Sequence, residues 1–174
     1  MNNVMVDLET LSLSSTPVLL SIGAVKFDEN GVGEEVFYER IARESCVGLG
    51  LIEDASTRAW WETQDPNVYA EALSGTRSLK EVLEEFTVWL GDDAKVWGNG
   101  ACSDNVWLKS AYTVCGLEVP WKFWNDRCYR TVLAMFPKTE KIRPKVAHNA
   151  LEDAIAQAKT LVSILDSDEG AIQL

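Results

Sequence analysis

Histidine, basic residues and paired cysteines are what this chain has least of. A single histidine stands among 174 residues, and 16 lysines and arginines face 27 acids, leaving a net charge of −11. Such a balance argues against a broad, salt-sensitive grip on a nucleic-acid backbone. It does not argue against a substrate end held through bound cations, since two divalent ions would offset four of those charges. The four cysteines, Cys46, Cys102, Cys115 and Cys128, form no C-x-x-C pair. That argues against a zinc knot and a dense disulfide framework, and predicts reduced, mostly packed thiols. No run of 18 apolar residues occurs, and the first residues lack a basic region followed by an apolar stretch. The expectation is a cytoplasmic protein with no membrane span and no secretory signal.

What is present is a hydrophobic content of 47%, enough for one domain with a real core over residues 1–174. Three strands are predicted first, over Val4–Val6, Val18–Phe27 and roughly Glu35–Ile41, with an Asn30-Gly31 hairpin turn making the start of the sheet antiparallel. Ser56-Thr57 is placed to cap a short helix through Trp61, and Pro66 suits the first turn of another. Ser78-Leu79-Lys80-Glu81 reads as a capping box for a helix ending at Gly91. A short buried strand follows at Lys95–Trp97, then a helix capped by Ser103 and stopping at Gly116. A second short strand near Trp121–Trp124, a helix from Asp126 (its cap) to Met135, and an amphipathic helix from Asn149 to Leu165 complete the chain. The tail from Asp166 is expected to fray. This order gives an α/β protein, a mixed β-sheet with helices packed on its faces.

Asp7-Leu8-Glu9-Thr10 closes the first strand, and the twofold alternation of a strand aims Asp7 and Glu9 the same way. Two adjacent anions are either solvated at a strand end or bridged by a hard cation, for which magnesium or manganese suits oxygen ligands. Two further acids stand at element boundaries. Asp104 opens a helix after Val96-Trp97, and Asp153 lies five residues past His148. Asp7, Glu9, Asp104 and Asp153 are the carboxylates a pair of divalent cations needs to cleave a phosphodiester. His148 is the side chain that can take a proton from an attacking water near neutral pH. Lys138, Lys141, Arg143 and Lys145, against Glu140 alone, make the segment before His148 locally basic, either a solvated loop or a phosphate contact.

Asp7 and Glu9, Asp104, and His148 with Asp153 in H-x4-D spacing resemble, in order, the three motifs of the DEDDh 3′–5′ exonucleases, relatives of ribonuclease T, oligoribonuclease and proofreading exonucleases. Ser56 to Gln64 and Val96 to Gly100 are most similar to the small stand-alone branch known from phages, prophages and mycobacteria, some of whose members are labelled exodeoxyribonuclease VIII-like and others exoribonucleases. Ser103 stands where the common pattern has an aromatic before the second-motif aspartate.

The resemblance implies a ribonuclease-H-like mixed sheet with helices on both faces, and release of nucleoside 5′-monophosphates from single-stranded or frayed 3′ ends. It implies two Mg2+ or Mn2+ ions, one held by Asp7, Glu9 and Asp153 and the other by Asp7 and Asp104, with His148 as general base. Thr10 and Leu11 fall where the family contacts the terminal nucleotide through backbone groups and an apolar wedge. Trp61 offers a base-stacking face or a core residue, and Asn99 a phosphate or Asp104 contact or a turn. RNA and DNA are both open as substrate, and a homodimer is implied by ribonuclease T and oligoribonuclease. The alternatives are a ribonuclease-H-like endonuclease or integrase, which gives no reason for the histidine, and an inactive nucleic-acid-binding module, which gives no reason for keeping all four acids.

Overall fold

The computed structural model describes residues 1–100 and 102–166. Three long strands, β1 (Asn3–Thr10), β2 (Leu19–Asp28) and β3 (Gly31–Arg40), form an antiparallel meander. Helices α1 (Arg43–Gly48), α2 (Ala55–Trp61), α3 (Pro66–Ala72) and α4 (Leu79–Leu90) follow, then β4 (Lys95–Gly98) and α5 (Asp104–Val114). A 3-10 turn at Phe123–Asn125 leads into β5 (Asp126–Cys128), α6 (Tyr129–Met135) and α7 (Ala150–Asp166). The sheet order is β3-β2-β1-β4-β5, with β4 parallel to both β1 and β5. The tail expected to fray lies, past Asp166, outside the described residues. No helix among them is long and apolar enough to cross a membrane.

Strand alternation sorts β1 between two apolar layers. Val4, Val6 and Leu8 pack with Leu79, Val82, Leu83 and Phe86 of α4 and with Leu108, Ala111 and Tyr112 of α5. Met5 faces the other way, against Val25, Phe27 and Trp97 and against Ala154, Ala158 and Leu161 of α7. Each such large side chain contributes roughly 1.5–3 kcal/mol on full burial. Asp7 and Glu9 are in step with Met5, so the layer that buries Met5 carries them to α7. Helices therefore cover both faces of the sheet, as expected.

Several local expectations are corrected. The cap of α2 is Asp54, whose Oδ1 accepts the Thr57 N–H at 2.6 Å, because one carboxylate there satisfies both that donor and the Ser56 hydroxyl. Ser103 makes no capping bond to α5; its hydroxyl turns to Gly100 O and Asp104 Oδ2. The strand expected at Trp121–Trp124 is displaced to Asp126–Cys128, and the helix begins only at Tyr129. Asp126 does not cap α6, whose N-cap is Cys128. It accepts from Asn105 Nδ2 at 3.1 Å, Trp121 Nε1 at 2.9 Å and the Lys109 ammonium, which holds its carboxyl below the ordinary range despite burial. The capping box at Ser78 is present, and Gly91 ends α4 with φ 73°. α1 had no sequence signal.

Candidate active site

Two close approaches build the site, and each needs a glycine. Gly23 of β2 pairs directly with Asp7, and a Cβ there would lie 2.1 Å from the backbone carbon of Ala150 and 2.2 Å from the Leu151 nitrogen. The bare backbone at Gly23 lets the first turn of α7 rest on the sheet beside Asp7. Gly98, at the end of β4, does the same for α5: a Cβ would sit 2.3 Å from Asn105 Oδ1 and 3.0 Å from Asp104 Cβ. Two helix N-termini thereby converge on the centre of β1.

Asp7, Glu9 and Asp153 each offer a carboxylate oxygen within 4.8 Å of the others. Asp104, 5% exposed, borders the same cavity and raises the proton affinity of both Asp7 and Glu9. Burial is the largest cause of the shifts and mutual repulsion follows: Asp7 is raised well above the carboxylate range, and Glu9 to about 8. Asp104 is raised by burial against the opposing pull of the Asn99 N–H, which donates to Oδ2 at 2.8 Å. Asp153 is raised by burial too, and lowered by the His148 N–H, which donates to its Oδ2 at 2.8 Å. A cluster of buried, mutually repelling carboxylates with oxygen atoms at this spacing is a donor set suited to hard divalent cations.

His148 has φ 62°, one of two non-glycine residues with positive φ among those described. A β-carbon in that region is disfavoured. The turn holds because Asp153 accepts the His148 N–H and Asn149 caps α7 through the Glu152 N–H. It aims the imidazole at the cavity, edge-on to Trp60 with centroids 4.9 Å apart.

Trp61 is 1% exposed, stacked on Tyr69, and donates Nε1–H to Thr10 O at 2.9 Å. It props the end of β1, and the accessible ring is Trp60, 43% exposed. Leu11 is likewise sealed in the core, whereas Leu13, 76% exposed, lines the cavity. The bond from Trp61 Nε1 to Thr10 O fixes which tryptophan is sealed, and past the register irregularity at Glu9/Thr10 the chain carries Leu11 inward. Thr10 lines the cavity but spends its hydroxyl on Ser12 O. Asn99 contributes its backbone N–H to Asp104.

Besides Leu13 and Trp60, sequence reasoning missed three residues. Gln157 of α7 donates Nε2–H to Asp7 Oδ1 at 2.7 Å, and its own Oε1 is buried without a partner among the described residues. One helical turn past Asp153, it shares that residue's face, the signal that could have found it. Gly23 and Arg130, the latter on the cavity wall, had no such signal. The cavity encloses about 550 Å³, within the range of small-ligand sites.

A family model described as the 3′-5′ exoribonuclease Rv2179c-like domain matches residues 2–165. The chain belongs to that family. It is accordingly a 3′–5′ exonuclease. No curated protein matches the exonuclease. Among solved structures, it resembles the nuclease domain of 3′hExo, a DEDDh family member solved with bound rAMP, at 13% identity and a TM-score of 0.66, over 99% of this chain and 96% of that one. It also resembles S. pombe Pop2p, solved with Mg2+ and Mn2+, at 12% identity and a TM-score of 0.66, over 97% and 84%. At such identities the likeness establishes a shared fold, the ribonuclease-H-like one.

Proposed function

We propose that this exonuclease removes nucleoside 5′-monophosphates one at a time from single-stranded RNA 3′ ends, with two divalent cations, Mg2+ or Mn2+, and His148 as general base. The observation that carries the reading is the convergence of Asp7, Glu9 and Asp153 within 4.8 Å, with Asp104 and His148 bordering the same cavity. The family description favours RNA over DNA. The ions, when bound, supply charge neutralisation, an activated water and stabilisation of the leaving 3′ oxygen. Asp7, Glu9 and Asp153 would hold one, and Asp7 with Asp104 the other. His148 receives the proton of the attacking water, and the strained turn directs its ring to the cavity that Asp7, Glu9 and Asp104 line. Leu13 and Trp60 bracket the terminal base, taking the roles expected of Leu11 and Trp61. An inactive binding module is disfavoured, because four clustered acids raised toward protonation destabilise a protein that does not use them.

Matched 5′-labelled RNA and DNA strands, incubated with Mg2+, Mn2+ or chelator, test this reading. A metal-dependent ladder shortening from the 3′ end, faster on RNA, is expected. Internal cuts would favour an endonuclease, and no cleavage of either strand a binding module.

His148→Ala is expected to lower kcat by about 10²–10⁴-fold, the usual worth of a general base, with divalent affinity in calorimetry little changed. His148→Gly should be as inactive yet more heat-stable, since glycine adopts φ 62° without strain. A comparable loss of metal affinity in either variant would make the ring a ligand.

Gln157→Leu removes the donor to Asp7 with little change in volume. Divalent affinity is expected to fall roughly 10–100-fold, as for other groups that orient metal ligands. Unchanged affinity would assign Gln157 to packing alone.

A further inference from the structure

Of the seven arginines in this acidic chain, five have partners. Arg43, Arg58 and Arg77 pair with carboxylates, Arg40 donates to Ser74 Oγ and Arg127 to backbone carbonyls. The side chains of Arg130, Arg143, Lys138 and Lys141 make no hydrogen bond or ion pair with any described residue. These four unpaired cations lie along adjoining cavities. The active-site cavity shares Asn99 and Arg130 with a neighbouring one of about 390 Å³ that runs past Lys141. That cavity shares Lys141 and Ile142 with a third, of about 890 Å³, lined by Lys138 and Arg143 and by the acid Glu140.

The loop between α6 and α7 that carries three of these cations is anchored. Ile142 donates its N–H at 2.9 Å to Thr160 Oγ1, a fully buried hydroxyl of α7. Lys141 and Arg143 flank that anchor, so their placement is built into the packing of α7. The cations continue from the Asp153–Gln157 side of the site, along a cavity that Leu13 and Trp60 do not line.

Resting on the exonuclease reading above, we propose that Arg130, Lys141, Lys138 and Arg143 form a track for the phosphodiester backbone upstream of the scissile bond. The terminal nucleotide occupies the active-site cavity, and the preceding phosphates leave past Arg130 and then the anchored loop. Cations free of internal carboxylates lose no ion pair when they meet phosphate, and each contact adds a salt-dependent increment to binding.

The test compares kcat/KM for a dinucleotide and for a longer RNA strand of the same 3′ sequence, in wild type and in the triple variant Lys138→Gln/Lys141→Gln/Arg143→Gln. The ratio of long strand to dinucleotide is expected to fall roughly tenfold at moderate salt, with a shallower salt slope for the long strand. An unaltered ratio, whether from equal losses on both substrates or from no loss, overturns the track. The triple variant remade with Lys in place of Gln at position 143 (Lys138→Gln/Lys141→Gln/Arg143→Lys), which keeps that one charge, should recover part of the ratio; failure to do so would also count against a backbone contact of this kind. Wild-type enzyme inert toward both substrates would instead refute the underlying exonuclease reading, so the two failures are distinguishable.

Discussion

Asp7→Asn is expected to abolish cleavage and, in metal-free protein, to raise the melting temperature. Asp7 is buried among Glu9, Asp104 and Asp153, and burial followed by their repulsion pushes its carboxyl well above the ordinary range. A neutral amide removes that repulsion, and Gln157 can still bond to it after an amide flip. A gain of about 2 kcal/mol corresponds to roughly 4–8 °C for a chain of this size. The pH dependence has a definite sign. A carboxyl whose folded pKa is raised, as for Glu9 at about 8 against 4.5, contributes stability that is complete below its unfolded value and is lost as pH rises through the folded one. Metal-free wild type should therefore lose stability between about pH 4.5 and 8, and Mn2+ should restore it most at the alkaline end, where protons compete least. Asp7→Asn should flatten both trends. Thermal melts of the two proteins across that range, with chelator and with Mn2+, read out every element. A variant that melts lower than wild type without metal would contradict the repulsion.

The second large effect is expected of a residue with no chemistry of its own. Gly23→Ala places a methyl 2.1 Å from the backbone of Ala150, where only a shift of α7 can make room. Overpacking of this kind costs about 1–3 kcal/mol. The functional loss should be larger, because Asp153 and His148 travel with that first turn while Asp7 and Glu9 stay on the sheet. A displacement near 1 Å is worth on the order of 10²-fold in rate. The expected signature is a folded protein with native helix content by circular dichroism, weakened divalent binding, and kcat/KM reduced at least a hundredfold. Full activity would mean that α7 tolerates sliding on β2 and that the close approach at Gly23 does not set the geometry.

These two residues mark how far the sequence was legible. Asp7 and Glu9 could be read because strand alternation is local: two residues apart in a strand means one face. His148 and Asp153 could be read because their spacing spans a helix start. Gly23 acquires meaning only from the pairing of β2 with β1 and the descent of α7 onto that pair, and no local pattern encodes either. Trp60 and Trp61 show the same boundary. Both are tryptophans in one short helix, and the bond from Trp61 Nε1 to Thr10 O decides which is sealed. Leu11 was placed by resemblance alone, and its burial, with Leu13 exposed on the cavity wall, depends on how the chain leaves β1 past the irregularity at Glu9/Thr10, which no local pattern encodes. Asp126 looked like a helix cap by its position, but three donors from α5 and the preceding turn claim it.

The most direct test of the central claim, that these carboxylates assemble a two-cation site for phosphodiester hydrolysis, is anomalous diffraction from crystals of the protein grown with Mn2+ and a nucleoside 5′-monophosphate. Two manganese peaks are predicted, one among Asp7, Glu9 and Asp153 and one between Asp7 and Asp104, with the nucleotide phosphate touching both and His148 facing it. A cluster without manganese while the nucleotide is bound, or a single ion ligated away from Asp7, would contradict the account.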